Sequence, residues 1–375
     1  MTLKNTKLSR KSLVAMLQML QIKRPHKSES EEEFIRKFLL DLPGIKQDEM
    51  GNLYLTIGEA PFIMYSAHTD TVHRSGGMQV VAIDGLKFHL HKDSNEDCLG
   101  ADNGAGVWML RELIQAKKPG LYIFHRGEEK GGIGSRWLAQ NNPDLVKGIK
   151  AAIAFDRRGT HSVITHQWKG RCCSDKFGNS LAAGLKLGHT LDQGGSFTDT
   201  ANYMDLVGEC TNVSVGFSSE HSSSEELDMG YLTLLREAVI NLDYSKLEYE
   251  RKPGDHEPRT HTYSGWYNTH NKNQGRKKKK KKRKFSWENG YKPANDTVGA
   301  ITFYPPSSGY AGSDVRSELN LGLIRRLIIS NPNHVANLLL DYGIGLDELA
   351  DYISEQRGYV PPEVYARRDK EENGA

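Results

Sequence analysis

Two glutamates, Glu128 and Glu129, stand side by side just after the apolar run "LYIF", in the segment "HRGEEKGGIGS". Neighbouring carboxylates in a half-buried position repel each other, and one of them takes up a proton unless a cation compensates their charge. A solvated loop is the ordinary explanation of such a pair. The pair becomes informative only if other parts of the chain supply groups that bind a cation.

Four other segments place a histidine or an aspartate beside an apolar stretch: "MYSAHTDTV", "CLGADNGAGVWMLRELI", "AAIAFDRRG" and "NVSVGFSSEHSSSEELDMGYL". They carry, in chain order, His68 with Asp70, Asp102, Asp156 and His221. Asp70 lies on the same face of an extended segment as His68, where a carboxylate can orient a metal-bound imidazole. Each segment alone also fits a surface turn or a helix cap. Their succession at predicted strand ends, with Asp102 at a strand-to-helix junction before a helix from about Ala105, favours one shared site.

Two histidines and three carboxylates form a mixed nitrogen and oxygen donor set that suits a pair of zinc ions with one carboxylate shared. Manganese or cobalt could occupy the same donors. Two metals about 3.5–4 Å apart polarise a carbonyl group and supply hydroxide near neutral pH, and a further carboxylate then moves the proton to the leaving amine. The sequence therefore predicts a hydrolytic site in which one glutamate of the pair binds metal and the other transfers protons.

The elements that must position these groups alternate between helix and strand periodicity from Leu8 to about Leu242, which is typical of an α/β fold. We predict helices at "RKSLVAMLQML" and "SEEEFIRKFLLDL", the second with a capping box formed by Ser30 and Glu33. Buried strands are predicted at "NLYLTI", "FIMYSA", "GLYIFH", "KAAIAFD" and "TNVSVGF". Because polar residues follow each strand, we expect the chemistry to gather at strand ends.

The order of "SAHTDTV", "LGADNGAG", "HRGEEKGGIGS", "AFDRRG" and "GFSSEHSSSEELD" resembles the co-catalytic zinc exopeptidases. That group includes aminopeptidases, tripeptidases, glutamate carboxypeptidases and acylamino-acid deacylases. The resemblance covers roughly Leu8 to Leu242 and implies an α/β fold with a mixed β-sheet sandwiched by helices. Many relatives insert a large lid domain before the last histidine, but the short separation of Asp156 from His221 leaves no room for one. The chain is therefore similar to the compact, single-domain aminopeptidases.

The same resemblance implies a role for each residue of the constellation. It implies a two-zinc metallopeptidase with the following ligands: His68 and Asp156 for one ion, Glu129 and His221 for the other, and Asp102 shared between them. Glu128 would be the general base, and Asp70 would orient His68.

Residues that face the substrate are harder to identify. The segment "GGSFTDTANYMD" resembles a loop that lines the pocket in relatives, so Asp199 or Glu225 could hold a substrate amino group. Arg171 in "WKGRCCSDKF" could instead bind a carboxylate, which would favour carboxypeptidase or dipeptidase action. Peptides are the expected substrates, because the deacylases of N-acyl amino acids usually carry the lid domain. Deacylation nevertheless stays open as an alternative.

The remaining third of the chain has a different composition. We assign 1–250 to the catalytic domain, 251–312 to a linker, and 313–375 to a small helical appendage. The linker holds nine consecutive basic residues, Arg276 to Lys284, in a chain whose net charge is only +3. Such a run is typical of a solvated linker but also neutralises phosphates, so nonspecific nucleic-acid contact is the second interpretation. It leaves open a binding protein, for nucleic acid or an assembly partner, built on a peptidase scaffold.

The bulk properties indicate a soluble protein. No apolar run is long enough to span a bilayer, and the amino end lacks a signal-peptide cleavage site, so we expect no membrane contact and a cytoplasmic location. The four cysteines show no metal-binding spacing and are expected to be reduced. The oligomeric state cannot be inferred from the sequence.

Overall fold

The computed structural model of the protein describes residues 10–59, 61–255, 257 and 301–303. The α-helices in these ranges are α1 (Arg10–Leu20), α2 (Glu29–Phe38), α3 (Ala101–Gln115), α4 (Ile133–Asn141), α5 (Asp175–Leu185) and α6 (Met229–Ile240). Short 3-10 helices occur at Pro143–Val146, Asp199–Tyr203 and Tyr244–Lys246.

The strands alternate with these helices along most of the described chain. They are β1 (Ile22–Lys23), β2 (Lys46–Gln47), β3 (Leu53–Ile57), β4 (Ile63–His68), β5 (Gly77–Met78), β6 (Val81–Asp84), β7 (Lys87–Leu90), β8 (Gly120–His125), β9 (Ala151–Arg157), β10 (Ser162–Ile164), β11 (His166–Gln167), β12 (Gly170–Arg171), β13 (Thr190–Asp192), β14 (Glu209–Ser214), β15 (Phe217–Ser218), β16 (Glu226–Asp228) and β17 (Ile301–Phe303).

A mixed sheet of eight strands forms the centre of the fold, in the order β13-β10-β14-β9-β4-β8-β3-β2. The strands β14, β9, β4 and β8 run parallel, whereas β10 and β3 join them in the antiparallel direction. Every residue of β4 and β8 is buried, as expected for central strands covered on both faces. Because the carboxyl ends of parallel strands meet at one edge, the polar residues that follow them are brought together.

The predicted α/β fold with a mixed sheet between helices is confirmed. The helix predicted at "RKSLVAMLQML" is α1, and the five predicted strands correspond to β3, β4, β8, β9 and β14. α3 packs against β4 and β9, and the indole of Trp108 in α3 donates a hydrogen bond to the Ser12 carbonyl of α1 (3.0 Å). The helix nearest the predicted site is thus fixed to both the sheet and α1.

The predicted capping box at Ser30 is wrong. α2 begins two residues earlier, because the side chain of Ser28 is the N-cap and accepts a hydrogen bond from the Glu31 N–H (3.1 Å). The hydroxyl of Ser30 instead donates to the Lys23 carbonyl (2.6 Å) and accepts from the Gly77 N–H (3.0 Å). Ser30 therefore fastens α2 to the small β1–β5 ribbon.

A second sheet, absent from our sequence analysis, has the order β15-β16-β7-β6-β17. Two of its strands, β6 and β7, lie between His68 and Asp102 in the sequence, where we predicted no strand. β17 pairs antiparallel with β6 and falls within the stretch 251–312 that we assigned to a linker. The sheet brings β16, which directly follows the His221 loop, against β7.

Some predictions concern the carboxyl-terminal third of the chain, membrane contact and the cysteines. The basic run 276–284 and the predicted helices of 313–375 lie outside the described residues. Within the described ranges, no helix has the length and apolar character needed to cross a membrane. Cys98, Cys172, Cys173 and Cys210 are buried and unpaired, in agreement with the expected reduced thiols.

Candidate metal centre

Four residues of the predicted site lie at the carboxyl edge of the central sheet. His68 is the last residue of β4, Asp156 is the next-to-last residue of β9, and Glu128 and Glu129 occupy the turn after β8. In the parallel β4–β8 pair, His68 stands opposite His125, the final residue of β8. The turn that carries both glutamates therefore starts beside His68.

Asp102 also lies at this edge. We predicted that it directly follows a strand, but it stands at the start of α3 after a segment without a strand. Residues 91–100 separate β7 from α3 and contain no strand. Gly100 has a φ of +77°, in the left-handed region that favours glycine. The backbone of Asp102 and Asn103 departs from helical angles, so the regular helix begins close to the predicted start at Ala105.

The small residues around Asp102 serve the packing of α3 on the sheet. A Cβ atom on Gly106 would lie 2.2 Å from the backbone oxygen of Phe155 in β9, so only glycine permits this close approach. The side-chain oxygen of Asn103 also accepts a hydrogen bond from the Gly106 N–H (2.8 Å). The start of α3 is thereby held next to the end of β9, where Asp156 follows Phe155.

The carboxylate of Asp102 lies between two histidines. Its Oδ1 is 3.1 Å from Nε2 of His68, and its Oδ2 is 3.2 Å from Nε2 of His221. Each oxygen thus faces a different imidazole. This is the arrangement that a carboxylate shared by two cations requires, because each cation then binds one oxygen and one histidine nitrogen.

Two further carboxylates complete one group on each side of Asp102. Oδ1 of Asp156 is 3.3 Å from Nε2 of His68, and Oε1 of Glu129 is 3.0 Å from Nε2 of His221. Within the groups His68–Asp102–Asp156 and Asp102–Glu129–His221, all potential ligand atoms lie within 4.8 Å of one another. These two groups match the ligand sets that the sequence resemblance implies. A third group, His68–Glu128–Glu129, meets the same distance limit, so the assignment of the ligands stays a prediction.

Glu128 is close to the site but belongs to neither of these two groups. One of its carboxylate oxygens is 4.0 Å from Nε2 of His68, and its side chain lines the cavity in front of the site. Burial raises the pKa of Glu128 well above its ordinary value, and the nearby carboxylates of Asp156, Asp199 and Glu129 raise it further. Of the adjacent glutamates, Glu129 therefore faces His221 and Glu128 faces the cavity.

Asp70 organises the site through both its backbone and its side chain. Nδ1 of His68 donates to the backbone oxygen of Asp70 (3.0 Å), so Nε2 is the nitrogen directed at the carboxylates. The Asp70 carboxylate is 3.5 Å from the same Nδ1 and accepts hydrogen bonds from the N–H groups of Glu128 (3.0 Å) and Glu129 (3.2 Å). Asp70 thus contacts both His68 and the glutamate turn, and its role in orienting a metal-bound His68 stays a prediction.

The pKa shifts at the site reflect several carboxylates held close together in a buried place. Burial raises the pKa of Asp156 to about 7, and repulsion by Asp102 acts in the same direction. Burial lowers the pKa of His68, but the surrounding carboxylates outweigh burial and leave it well above its ordinary value. Hydrogen bonds with Asp102 and Glu129 raise the pKa of His221 to about 11. In the metal-free protein both histidines therefore carry protons, and these protons partly compensate the carboxylates. Two divalent metal ions could take their place, so a metal pair fits this donor set.

The three residues that we assigned to substrate binding have other contacts, and none of them lines the cavity. Glu225 is 1% exposed and accepts hydrogen bonds from the N–H groups of Gly100 (2.9 Å) and Asp102 (2.8 Å). It therefore supports the backbone of Asp102 and is not available to a substrate amino group. Burial raises the pKa of Glu225 to about 7, since the Asp102 carboxylate lies nearby.

Asp199 and Arg171 also point elsewhere. Asp199 is 1% exposed, and its Oδ2 lies 3.3 Å from Nδ1 of the buried His125, beneath the site. The guanidinium of Arg171 pairs with Asp175 (2.7 Å) and Glu257 (3.0 Å), on the outside of the domain core. Neither burial depth nor ion pairing of this kind can be read from sequence spacing, so these contacts give no support to the substrate-binding roles that the sequence suggested.

The cavity in front of the site has a volume of about 210 Å³. Its floor contains Asp102, Glu128, Asp156 and His221, and its walls include Arg157, Arg158, Gln167, Phe197, Thr198 and Glu220. Thr198 donates a hydrogen bond from its hydroxyl to Oδ2 of Asp156 (2.7 Å). Sequence analysis missed these wall residues, although Arg157 and Arg158 directly follow Asp156 and Glu220 directly precedes His221.

Comparison with solved structures identifies the fold. An aminopeptidase PepT from Bacillus cereus superposes with a TM-score of 0.51 over 61% of this chain and 97% of that protein, at 14% sequence identity. A tripeptidase from Staphylococcus aureus superposes with a TM-score of 0.52 over 63% of this chain and 98% of that protein, at 15% identity. No protein-family model and no curated protein matches the sequence. The chain thus shares the fold of these two peptidases, in agreement with the fold that the motif order indicated.

Proposed function

We propose that this protein is a metallopeptidase that hydrolyses the amino-terminal peptide bond of peptides with two divalent metal ions. One observation carries the proposal: the two oxygens of Asp102 face Nε2 of His68 at 3.1 Å and Nε2 of His221 at 3.2 Å. A buried carboxylate between two histidines has no evident structural use, whereas it suits a bridge between two cations. The aminopeptidase fold agrees with this assignment.

The proposed ligands follow from the two groups described above. His68 and Asp156 would hold one ion, His221 and Glu129 would hold the other, and Asp102 would contact both. Imidazole nitrogen and carboxylate oxygen favour zinc, although manganese or cobalt accepts the same donors. When bound, such a metal pair polarises the substrate carbonyl and lowers the pKa of a water molecule.

Glu128 is the proposed proton carrier. Its carboxylate faces the cavity within 4.0 Å of His68 Nε2, so it lies beside the proposed ligands and within reach of a bound substrate. Burial raises its pKa, and a carboxylate with a raised pKa can take a proton from water and later give it to the leaving amine. The hydrogen bonds from the glutamate turn to Asp70 keep this carboxylate in place.

A substrate panel tests the proposal. Purified protein is first loaded with zinc. It is then assayed separately on three classes of substrate: free dipeptides and tripeptides, amino-terminally blocked peptides, and N-acyl amino acids. We expect cleavage of the free peptides only, and release of the amino-terminal residue. Cleavage of N-acyl amino acids alone would replace the peptidase by a deacylase. Absence of turnover on all three classes, with the wild type no better than Glu128→Gln, would contradict a hydrolytic function and favour a binding protein.

A further inference from the structure

We infer that Arg157 forms a subsite for a carboxylate of the substrate, so that this protein is a peptidase of short free peptides whose terminal carboxylate is bound. This inference rests on the proposed function, because it assumes that a peptide lies in the cavity with its scissile bond near Glu128. It also replaces Arg171 as the carboxylate-binding arginine, since Arg171 does not line the cavity.

Arg157 stands next to the proposed centre. It directly follows Asp156 at the end of β9, and its side chain forms part of the cavity wall. Consecutive Cα atoms are about 3.8 Å apart, and an extended residue spans at most about 3.5 Å. A peptide held at Asp156 therefore needs only a few residues to bring its carboxyl end to the Arg157 guanidinium.

The guanidinium is fixed on one side by neighbouring acceptors. Its Nη2 donates to Oδ2 of Asp192 (3.1 Å) and to the backbone oxygen of Gly194 (3.4 Å). Asp192 is itself held, because it accepts hydrogen bonds from the Ser162 hydroxyl (2.8 Å) and the Gly194 N–H (2.7 Å). The arginine is thus oriented before a ligand arrives, which lowers the entropy lost on binding.

The other donors of the same guanidinium are unused. Nε of Arg157 is buried without a hydrogen-bond partner, and Nη1 makes no hydrogen bond to the part of the chain that the structure describes. Nε has almost no exposed surface, so Nη1 is the nitrogen left to donate to a ligand in the cavity. A guanidinium recognises a carboxylate in preference to a neutral carbonyl, because the charge-assisted bonds are stronger.

Arg158 is a weaker candidate for the same task. Its Nη1 is paired with Oε1 of Glu220 (2.8 Å), and more than half of its side chain is exposed. Water screens an exposed charge, so Arg158 contributes less to a bound carboxylate than the more buried Arg157. The cavity itself favours a short ligand, because about 210 Å³ is below the roughly 300 Å³ at which pockets for larger ligands begin.

A matched set of peptides tests the subsite. The tripeptide Leu-Gly-Gly is compared with its carboxyl-terminal amide, and Leu-Asp-Gly amide supplies a carboxylate on a side chain only. We expect amidation of Leu-Gly-Gly to lower kcat/KM of the zinc-loaded wild type about 10- to 100-fold, as expected for losing a charge-assisted hydrogen bond. If kcat/KM for Leu-Asp-Gly amide returned to the value for free Leu-Gly-Gly, the subsite would be assigned to side-chain carboxylates.

Three variants separate carboxylate binding from other effects of substitution. Arg157→Ala should hydrolyse the free acid and the amide at similar rates, whereas damage to Asp156 would lower both rates equally and keep their ratio. Arg171→Ala removes an arginine outside the cavity and should retain the wild-type ratio. Arg158→Ala should reduce the ratio less than Arg157→Ala.

A binding measurement distinguishes failure of this inference from failure of the proposed function. Calorimetry with the Glu128→Gln variant measures the affinities of Leu-Gly-Gly and its amide without turnover. Tighter binding of the free acid, lost in Glu128→Gln combined with Arg157→Ala, supports the subsite even if the wild type proves inactive. Equal affinity for acid and amide, together with equal hydrolysis by the wild type, would overturn the subsite while leaving the peptidase intact.

Discussion

The two histidines of the candidate centre are held in different ways. His68 ends a central strand, is 1% exposed, and has its Nδ1 fixed by the backbone of Asp70. The His221 side chain lies on a loop, is 50% exposed, and its Nε2 faces the carboxylates of Asp102 and Glu129. Strands of the sheet therefore hold His68 and Asp156 in the first half of the site, whereas the position of His221 depends more on the groups around it.

The backbone of His221 supports this contrast. Its φ is +60°, in the left-handed region that residues other than glycine seldom adopt. Such a conformation costs on the order of 1 kcal/mol and persists where neighbouring contacts impose it. We infer that metal binding contributes to holding this loop, so the ion next to His221 should be the more easily lost of the two.

The largest expected effect concerns Glu128, which belongs to the sheet half but is not a proposed ligand. Glu128→Gln should lower turnover of free peptides by at least about 100-fold while leaving the metal content nearly unchanged, because it removes only the proton carrier. Steady-state kinetics and elemental analysis of the same preparation check this. Parallel loss of metal and activity would instead move Glu128 into the ligand set.

The comparison of the two halves predicts different metal contents for two alanine variants. After dialysis against zinc-free buffer, His221→Ala should retain about one ion per chain, because the preformed His68 half remains. His68→Ala should retain almost none, because only the weaker half is left. Elemental analysis decides between them, and the reverse order would contradict the proposed difference between the halves.

Glu225 links the two halves, because it lies four residues after His221 and binds the N–H groups of Gly100 and Asp102. Glu225→Gln removes one of these two acceptors and should weaken zinc binding about 10-fold, the lower end of the effect of residues that orient metal ligands. Glu226→Gln is the matched control, since Glu226 pairs with Lys87 at the surface. Competition with a zinc chelator measures both affinities. Equal affinities for the two variants would reduce Glu225 to a role in folding.

Zinc affinity should rise with pH. His221 has a pKa raised to about 11 by its hydrogen bonds with Asp102 and Glu129, and burial raises that of Asp156 to about 7. Both groups hold protons in the metal-free protein near neutral pH, and the ions must displace them. Each proton released strengthens binding by about tenfold per pH unit. Calorimetry in buffers of different ionisation enthalpy counts these protons, and an affinity independent of pH from 6 to 8 would refute the displacement.

The smallest expected effect is that of removing the basic run. Deletion of 276–284 should leave hydrolysis of small peptides unchanged, because no proposed ligand or cavity residue lies in it. Binding to nucleic acid, if present in the full chain, should be lost in the deletion variant and should weaken steeply with salt. A drop in peptide turnover on deletion would connect the run to the catalytic domain.

The parts of the fold that follow from the sequence are those with a strong local pattern. β8 coincides with the predicted "GLYIFH", because a strand buried on both faces is apolar throughout. The second sheet escaped prediction because β6 and β7 have only four residues each. The capping error has a similar origin: "SESEEE" offers two serines at capping spacing, and contacts of Glu31 with Arg126 (2.6 Å) and the Lys27 N–H (2.6 Å) accompany the choice of Ser28.

The site divides in the same manner. The grouping of His68, Asp102, Glu129, Asp156 and His221 could be predicted because the five residues occur in a recognisable order and three of them end or follow strands of the central sheet. The roles of Glu225 and Asp199 could not, because each depends on which distant group meets the buried carboxylate. The proposed role of Arg157 could not be predicted either. It depends on how Asp192 and Gly194 orient the guanidinium in the folded chain, and the segment "FDRRG" does not show this.

The metal content of the wild-type protein tests the central claim most directly. Purified full-length protein is saturated with zinc, passed through a desalting column, and measured by elemental analysis against protein concentration, with the Asp102→Asn variant in parallel. We predict close to two zinc ions per wild-type chain and loss of both in the variant, because Asp102 is shared. One ion or none in the wild type, or two ions in Asp102→Asn, would contradict a centre bridged by Asp102.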